Sequence, residues 1–290
     1  MTTSQGQAFL SQLADIKQDL PYSPGLLRDM FSLTNESSPA SLERIGQTIT
    51  QDQGLTAKIL ALANSAFYGL QGKVTSVSRA AALIGMKEIR NLVLALGIQA
   101  LTHDRPLPRD FDLYAYWEHN LATGVCAKLL AERVQAEDPE VSPDSLFTAG
   151  MLHDFGKLLT AIHRPEDYSI IHKQAHDQDL PYCSLEEGHW GIEHGVIGAM
   201  TLNSWNLPKE LTEPVNWHHA PEHAPEFAVQ AKLLCLADAL HHSLLDPEKP
   251  LSSQAMALLL EFGFNYKEIC KELEWVMEDD SLEQFISHLS

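Results

Sequence analysis

The chain has 290 residues, 44% of them hydrophobic and 20% charged, which excludes wholesale disorder and leaves length enough to bury a core without disulfides or a structural metal. Acidic residues number 39 against 20 basic, a formal charge of −19. That balance repels phosphate backbones and anionic membrane surfaces, so neither nucleic-acid binding nor membrane association is expected.

In chain order, nearly every segment carries helical period. Ser38-Pro39 offers an N-cap with proline at the first helical position, and Leu42, Ile45 and Ile49 then line one face. Leu55, Ile59, Leu62 and Ala63 predict a second helix after Gly54. Ala80 to Ile84 stops at Gly85, and Met86, Ile89, Leu92, Val93 and Leu96 form a further stripe. No run of period-2 alternation with β-branched residues stands out, so the chain reads as all-α, with 70–78 the one candidate extended piece.

Thr102-His-Asp-Arg-Pro-Leu-Pro-Arg109 discourages helix and is the best boundary. It divides an N-terminal helical part, 1–105, from a core, 106–245; Asp246 to Pro250 then opens a C-terminal helical tail, 246–290. The loop from Glu137 to Pro143 separates two helices within the core. No histidine precedes His103, and thirteen of the fourteen lie beyond the boundary stretch. This clustering is the first functional signal.

Four cysteines (Cys126, Cys183, Cys235, Cys270) stand well apart with no C-x-x-C pair, which argues against a disulfide framework or zinc ribbon and fits a reducing cytoplasm. The N-terminal Met-Thr-Thr-Ser-Gln-Gly-Gln lacks the basic and apolar character of a signal peptide. The longest apolar stretch, Asn91 to Leu101, is too short to span a bilayer.

Chemistry concentrates in Gly150-Met-Leu-His153-Asp154-Phe-Gly-Lys157. Neighbouring helical residues point about 100° apart, so an adjacent His-Asp pair serves two ions better than one, and does so at a helix end. Imidazole and carboxylate together suit Fe, Mn, Zn or Ni. Gly156 leaves backbone room, and Lys157 supplies a charge for a phosphate. Four other segments offer partners: His119 in Trp-Glu-His-Asn, His194 in Gly-Ile-Glu-His-Gly, the pair His218-His219, and Asp238 within an apolar helix stretch. Five imidazoles and two carboxylates are about what two divalent ions require, with Asp154 shared.

The ordered set His119, His153-Asp154 with Gly156-Lys157, His194, His218-His219 and Asp238 resembles the HD superfamily of metal-dependent phosphohydrolases. The first half narrows this: Gln53-Gly-Leu-Thr-Ala-Lys-Ile-Leu60, Ala63-Asn-Ser-Ala-Phe-Tyr-Gly69 and Arg90-Asn-Leu92 are similar to the HDOD family, the HD-related output domain of bacterial signalling. The resemblance covers about residues 5–245. It implies an all-helical bundle of the HD type acting as a regulatory module, with a signalling protein or a small phosphate or nucleotide as partner. It also implies one ion on His119, His153, Asp154 and Asp238, a second on Asp154, His194, His218 and His219, and Lys157 on phosphate. If the centre is active, the resemblance implies hydrolysis of a phosphomonoester, nucleotide or phosphodiester, with Asp154 and Lys157 as the catalytic groups. Related HD-GYP enzymes carry a Gly-Tyr-Pro loop where this chain has Ala220-Pro-Glu-His-Ala-Pro-Glu226, and a carboxylate where it has Ala115, which argues against a cyclic di-GMP hydrolase.

Other histidines carry less. His172 and His176 share a helix face in a polar segment and read as solvated; His189 and His223 are at most substrate contacts; His241 or His242 can support Asp238 from behind. Asn64 to Phe67 reads as a small-residue helix end packing against later parts of the chain.

Overall fold

The computed structural model describes residues 53–70, 72–102, 105–277, 280–287 and 289, with positions 6, 7, 9, 11, 46, 47, 49 and 50. Of these described residues 75% are helical and none lies in a strand. The helix start expected at Ser38-Pro39 lies outside them; Gly46, Gln47, Ile49 and Thr50 are helical. The chain divides into two compact units, one of 1–16 and 106–277 and the other of 17–105 and 278–290.

In the unit containing 17–105, helix α1 (Gln53–Ala63) buries Leu55, Ile59, Leu62 and Ala63, the expected stripe. Helix α2 (Val77–Ile84) is capped by Ser76, whose hydroxyl accepts from the Arg79 N–H at 3.2 Å, and stops at Gly85, whose φ of 95° excludes most other residues. Helix α3 (Met86–Leu101) is apolar nearly all round, as a central helix must be. Of the expected extended piece, 70–78, the described residues 70 and 72–76 form no strand, and Val77 and Ser78 already belong to α2. Asn64 holds the segment instead: its side-chain oxygen accepts from Val74 N–H at 2.7 Å while its amide donates to Val74 O at 2.9 Å. Nearby, the Phe67 ring meets Phe285 at 4.8 Å.

The unit containing 106–277 starts with α4 (Leu113–Val134), capped by Asp112 on the Ala115 N–H at 3.0 Å. Helix α5 (Pro143–Leu152) opens with Ser142 as N-cap and Pro143 at its first turn. A Cβ on Gly150 would lie 2.5 Å from Gly124 Cα, so α4 and α5 touch backbone to backbone at that pair. There follow α6 (Phe155–His163), α7 (Pro165–Gln178), α8 (Tyr182–Trp190), α9 (His194–Ser204) and α10 (Lys209–Trp217). Helix α11 (Ala228–Leu245) packs on α4 and α10. Helices α12 (Ser253–Glu261) and α13 (Tyr266–Met277) finish this unit, α13 tied to α4 by Arg133 and both oxygens of Glu272 at 2.7 Å. The last helix, α14 (Asp280–Ser287), carries Phe285 and belongs to the other unit. Among the described residues, no helix is long and apolar enough to cross a membrane.

Candidate metal centre

The His-Asp pair sits at a break between helices. Helix α5 ends at Leu152, Asp154 leaves helical geometry at φ −93°, ψ 11°, and α6 begins at Phe155. The break lets the two side chains point at different neighbours, which a continuous helix would forbid. The close α4–α5 crossing brings His119 Nε2 to 3.1 Å from His153 Nε2. Asp238, midway along α11, places Oδ1 3.2 Å from His119 Nε2 and 3.7 Å from His153 Nε2.

Asp154 lies at the middle of the set. Its Oδ2 is 3.5 Å from His119 Nε2 and 2.7 Å from Lys157 Nζ, while Oδ1 is 3.5 Å from His153 Nε2 and 3.1 Å from His194 Nε2. On the far side His194 Nε2 is 2.9 Å from His219 Nε2, and the His218 ring packs against both. All seven expected residues therefore come together. They contain the His119–His153–Asp238, His194–His218–His219 and His153–Asp154–His218 groups, each with donor atoms within 4.8 Å of one another.

The outer ring nitrogens are already engaged. His153 Nδ1 donates to Gly150 O and His218 Nδ1 to Val215 O, both at 2.7 Å; His194 Nδ1 lies 2.6 Å from Glu186 Oε2. This arrangement turns each Nε2 inward as a free ligand. Burial, helped by neighbouring histidines, lowers the His218 pKa to about 3 and that of His219 well below its ordinary value. For His119 burial outweighs the nearby carboxylates and lowers it to about 4. Burial works against ionisation of Asp154 and Asp238, yet the cationic groups, Lys157 foremost for Asp154 and His242 for Asp238, hold both well below the usual carboxylate range. At His194 burial also disfavours the cation, but Glu186 and Asp154 outweigh it and raise that pKa to about 10. The centre thus combines neutral imidazoles at His119, His218 and His219 with ionised carboxylates and a His194 held toward its imidazolium form.

Three atoms that face the cluster, Asp154 Oδ1, His218 Nε2 and Asp238 Oδ1, are buried without a well-formed hydrogen bond. A buried acceptor left unsatisfied costs about 1–3 kcal/mol. Divalent cations would satisfy all three, and the nitrogen and oxygen donors fit Fe, Mn, Zn or Ni.

Sequence reasoning missed Glu186 and Glu193. Glu186 is fully buried and accepts from both the His194 N–H (2.8 Å) and its Nδ1, fixing that imidazole from behind. No spacing signal marks it, because its contact depends on how α8 folds back on α9. His242 Nε2 stands 3.3 Å from Asp238 Oδ1, and His241 Nδ1 2.8 Å from His119 Nδ1, so each supports a different residue of the centre. Four other histidines lie elsewhere. His172 stacks on Tyr168, His176 is exposed, His189 meets Asp167 at 3.2 Å, and His223 faces Trp217 and Glu222.

Residues 20–221 match the HDOD domain family model. A protein of Treponema pallidum (strain Nichols), described as uncharacterized, is 26% identical over 223 residues. The match covers 77% of this chain and 42% of that protein, so the chain spans about two fifths of that relative's length. A candidate signal transduction protein of Marinobacter aquaeolei VT8 shares the fold with a TM-score of 0.80 at 20% identity, over 99% of this chain and 66% of that one. A candidate phosphohydrolase of Shewanella amazonensis SB2B shares it with a TM-score of 0.73 at 22% identity, over 96% and 98%.

Proposed function

Because the chain belongs to the HDOD family, we propose that it is a signal-transduction module built round a complete two-ion metal centre. One ion is held by His119, His153, Asp154 and Asp238, the other by Asp154, His194, His218 and His219. The observation that carries this reading is the convergence of five imidazoles and two carboxylates on one cluster, in which Asp154 Oδ1, His218 Nε2 and Asp238 Oδ1 are buried without a hydrogen bond. The ions are divalent Fe, Mn, Zn or Ni. The module presents this surface to a signalling protein, or to a nucleotide or other small phosphate.

A second reading, a working phosphohydrolase, draws support from Lys157. Its ammonium stands 2.7 Å from Asp154 Oδ2 and 5.5 Å from the Tyr182 ring centroid, where it can anchor a phosphate oxygen beside the centre. When bound, such ions supply Lewis acidity toward a phosphoryl group. Asp154 offers one oxygen to each side of the centre, and Glu186 keeps His194 oriented.

Elemental mass spectrometry on protein purified without chelator or histidine tag tests the common premise. About two equivalents per chain support it, with the count collapsing in Asp154→Asn. No uptake, even after metal is added back, refutes it. A phosphatase and phosphodiesterase screen of the loaded protein then separates the readings: turnover abolished by Asp154→Asn favours the enzyme, and absence of turnover alongside a captured partner favours the module.

A further inference from the structure

We infer that Cys183, Glu193 and His219 form an outer cation seat at the mouth of the centre, selective for thiophilic divalent ions. One donor atom from each of these residues lies within 4.8 Å of the other two. The inference shares His219 with the two-ion reading but adds two ligands outside those seven residues.

Glu193 is the telling member. It is the N-cap of α9, yet its side chain caps no backbone N–H. It is 8% exposed, and Oε2 is buried without a hydrogen bond; the imidazole of His219 stands 3.5 Å away through Nε2. A carboxylate taken out of water without such bonds calls for a proton or a cation, and two further ligand atoms within reach favour the cation. Gly195 makes the position possible, since a Cβ there would meet Glu193 Oε1 at 3.0 Å. Cys183 comes from the first turn of α8 and closes the third side.

The seat reaches solvent at His219. Side-chain exposure rises from 0% at His194 to 10% at Glu193 and 26% at His219. Thiolate, imidazole and carboxylate together suit zinc, cobalt or ferrous iron and disfavour magnesium or calcium. Ligation releases the thiol proton to solvent. A single imidazole nitrogen takes one ion, and Nε2 is the His219 atom that faces both Glu193 and His194. The outer seat and the inner position are therefore alternative sites for the same ion, and the total per chain stays at two.

The test is anaerobic titration of the metal-stripped full chain with cobalt(II), following the near-ultraviolet sulfur-to-cobalt charge-transfer band and counting bound cobalt. The expected result is a band equivalent to one thiolate per chain. It disappears in Cys183→Ser with the cobalt count unchanged, weakens in Glu193→Gln, and survives Asp154→Asn. The other three cysteines serve as internal controls, since Cys183→Ser leaves them intact. Cobalt uptake without the band, or a band indifferent to Cys183→Ser, overturns the outer seat and leaves the two-ion reading standing. A Cys183-dependent band with a cobalt count unmoved by Asp154→Asn supports the seat while refuting the two-ion reading. No uptake at all refutes both.

Discussion

Gly156→Ala should cost the protein one of its two ions. A Cβ at this position would sit 2.0 Å from the carbonyl oxygen of His194 and 2.7 Å from its carbonyl carbon, both backbone atoms that no rotamer change can move. Ordinary contact begins near 3.4 Å, so α6 and the start of α9 must separate by about 1.4 Å. That shift is several times the tolerance of about 0.2 Å on a metal–ligand distance. It moves His194, now 3.1 Å from Asp154, away from the centre. His119, His153 and Asp238 come from α4, the end of α5 and α11, so their ion should stay. Overpacking of this kind costs about 1–3 kcal/mol. For a unit of this size that lowers Tm by about 2–12 °C. Elemental analysis and a thermal melt on the same preparation read both effects. Two ions per chain with an unchanged Tm would refute the argument that this glycine sets the His194 position and that His194 is a ligand.

Three further outcomes follow from the same geometry. Glu186→Gln keeps a carbonyl oxygen but removes the charge behind His194, and should weaken the second ion by about 10–100-fold, read by competition with a chelating dye; unchanged affinity would discard the supporting role. Ser142→Ala removes the cap of α5 and should cost about 1 kcal/mol. Its ion count should not change, which makes it the control for a purely structural loss. Stripping both ions with chelator should lower Tm reversibly, since an ion at a hundred times its Kd stabilises the fold by about 2.7 kcal/mol. A Tm indifferent to chelation would mean that the centre is empty in the starting protein.

Much of the fold was legible in the residues. Helical stripes such as Leu55–Ile59–Leu62 and Ile89–Leu92–Val93–Leu96 mark buried faces without reference to any other segment, and Gly85 stops α2 where its position says it should. Such signals are local: a 3.6-residue period and a cap are properties of a few consecutive residues. The seven centre residues were legible for a different reason, the resemblance of their order to a known family. Nothing in the intervals between His119, His153, His194, His218 and Asp238 says that their side chains meet.

That meeting depends on how the helices cross. Gly124 against Gly150 brings α4 onto α5, and Gly156 against the His194 backbone brings α6 onto α9; each is a contact between residues far apart in the chain. Other long-range returns of the chain bury Glu186 behind His194, set His241 against His119 and turn Glu193 toward His219. Composition and periodicity say nothing about such distances. A carboxylate in α8 carries no signal in sequence and becomes a fixed, buried acceptor behind His194 only because the chain folds back and encloses it.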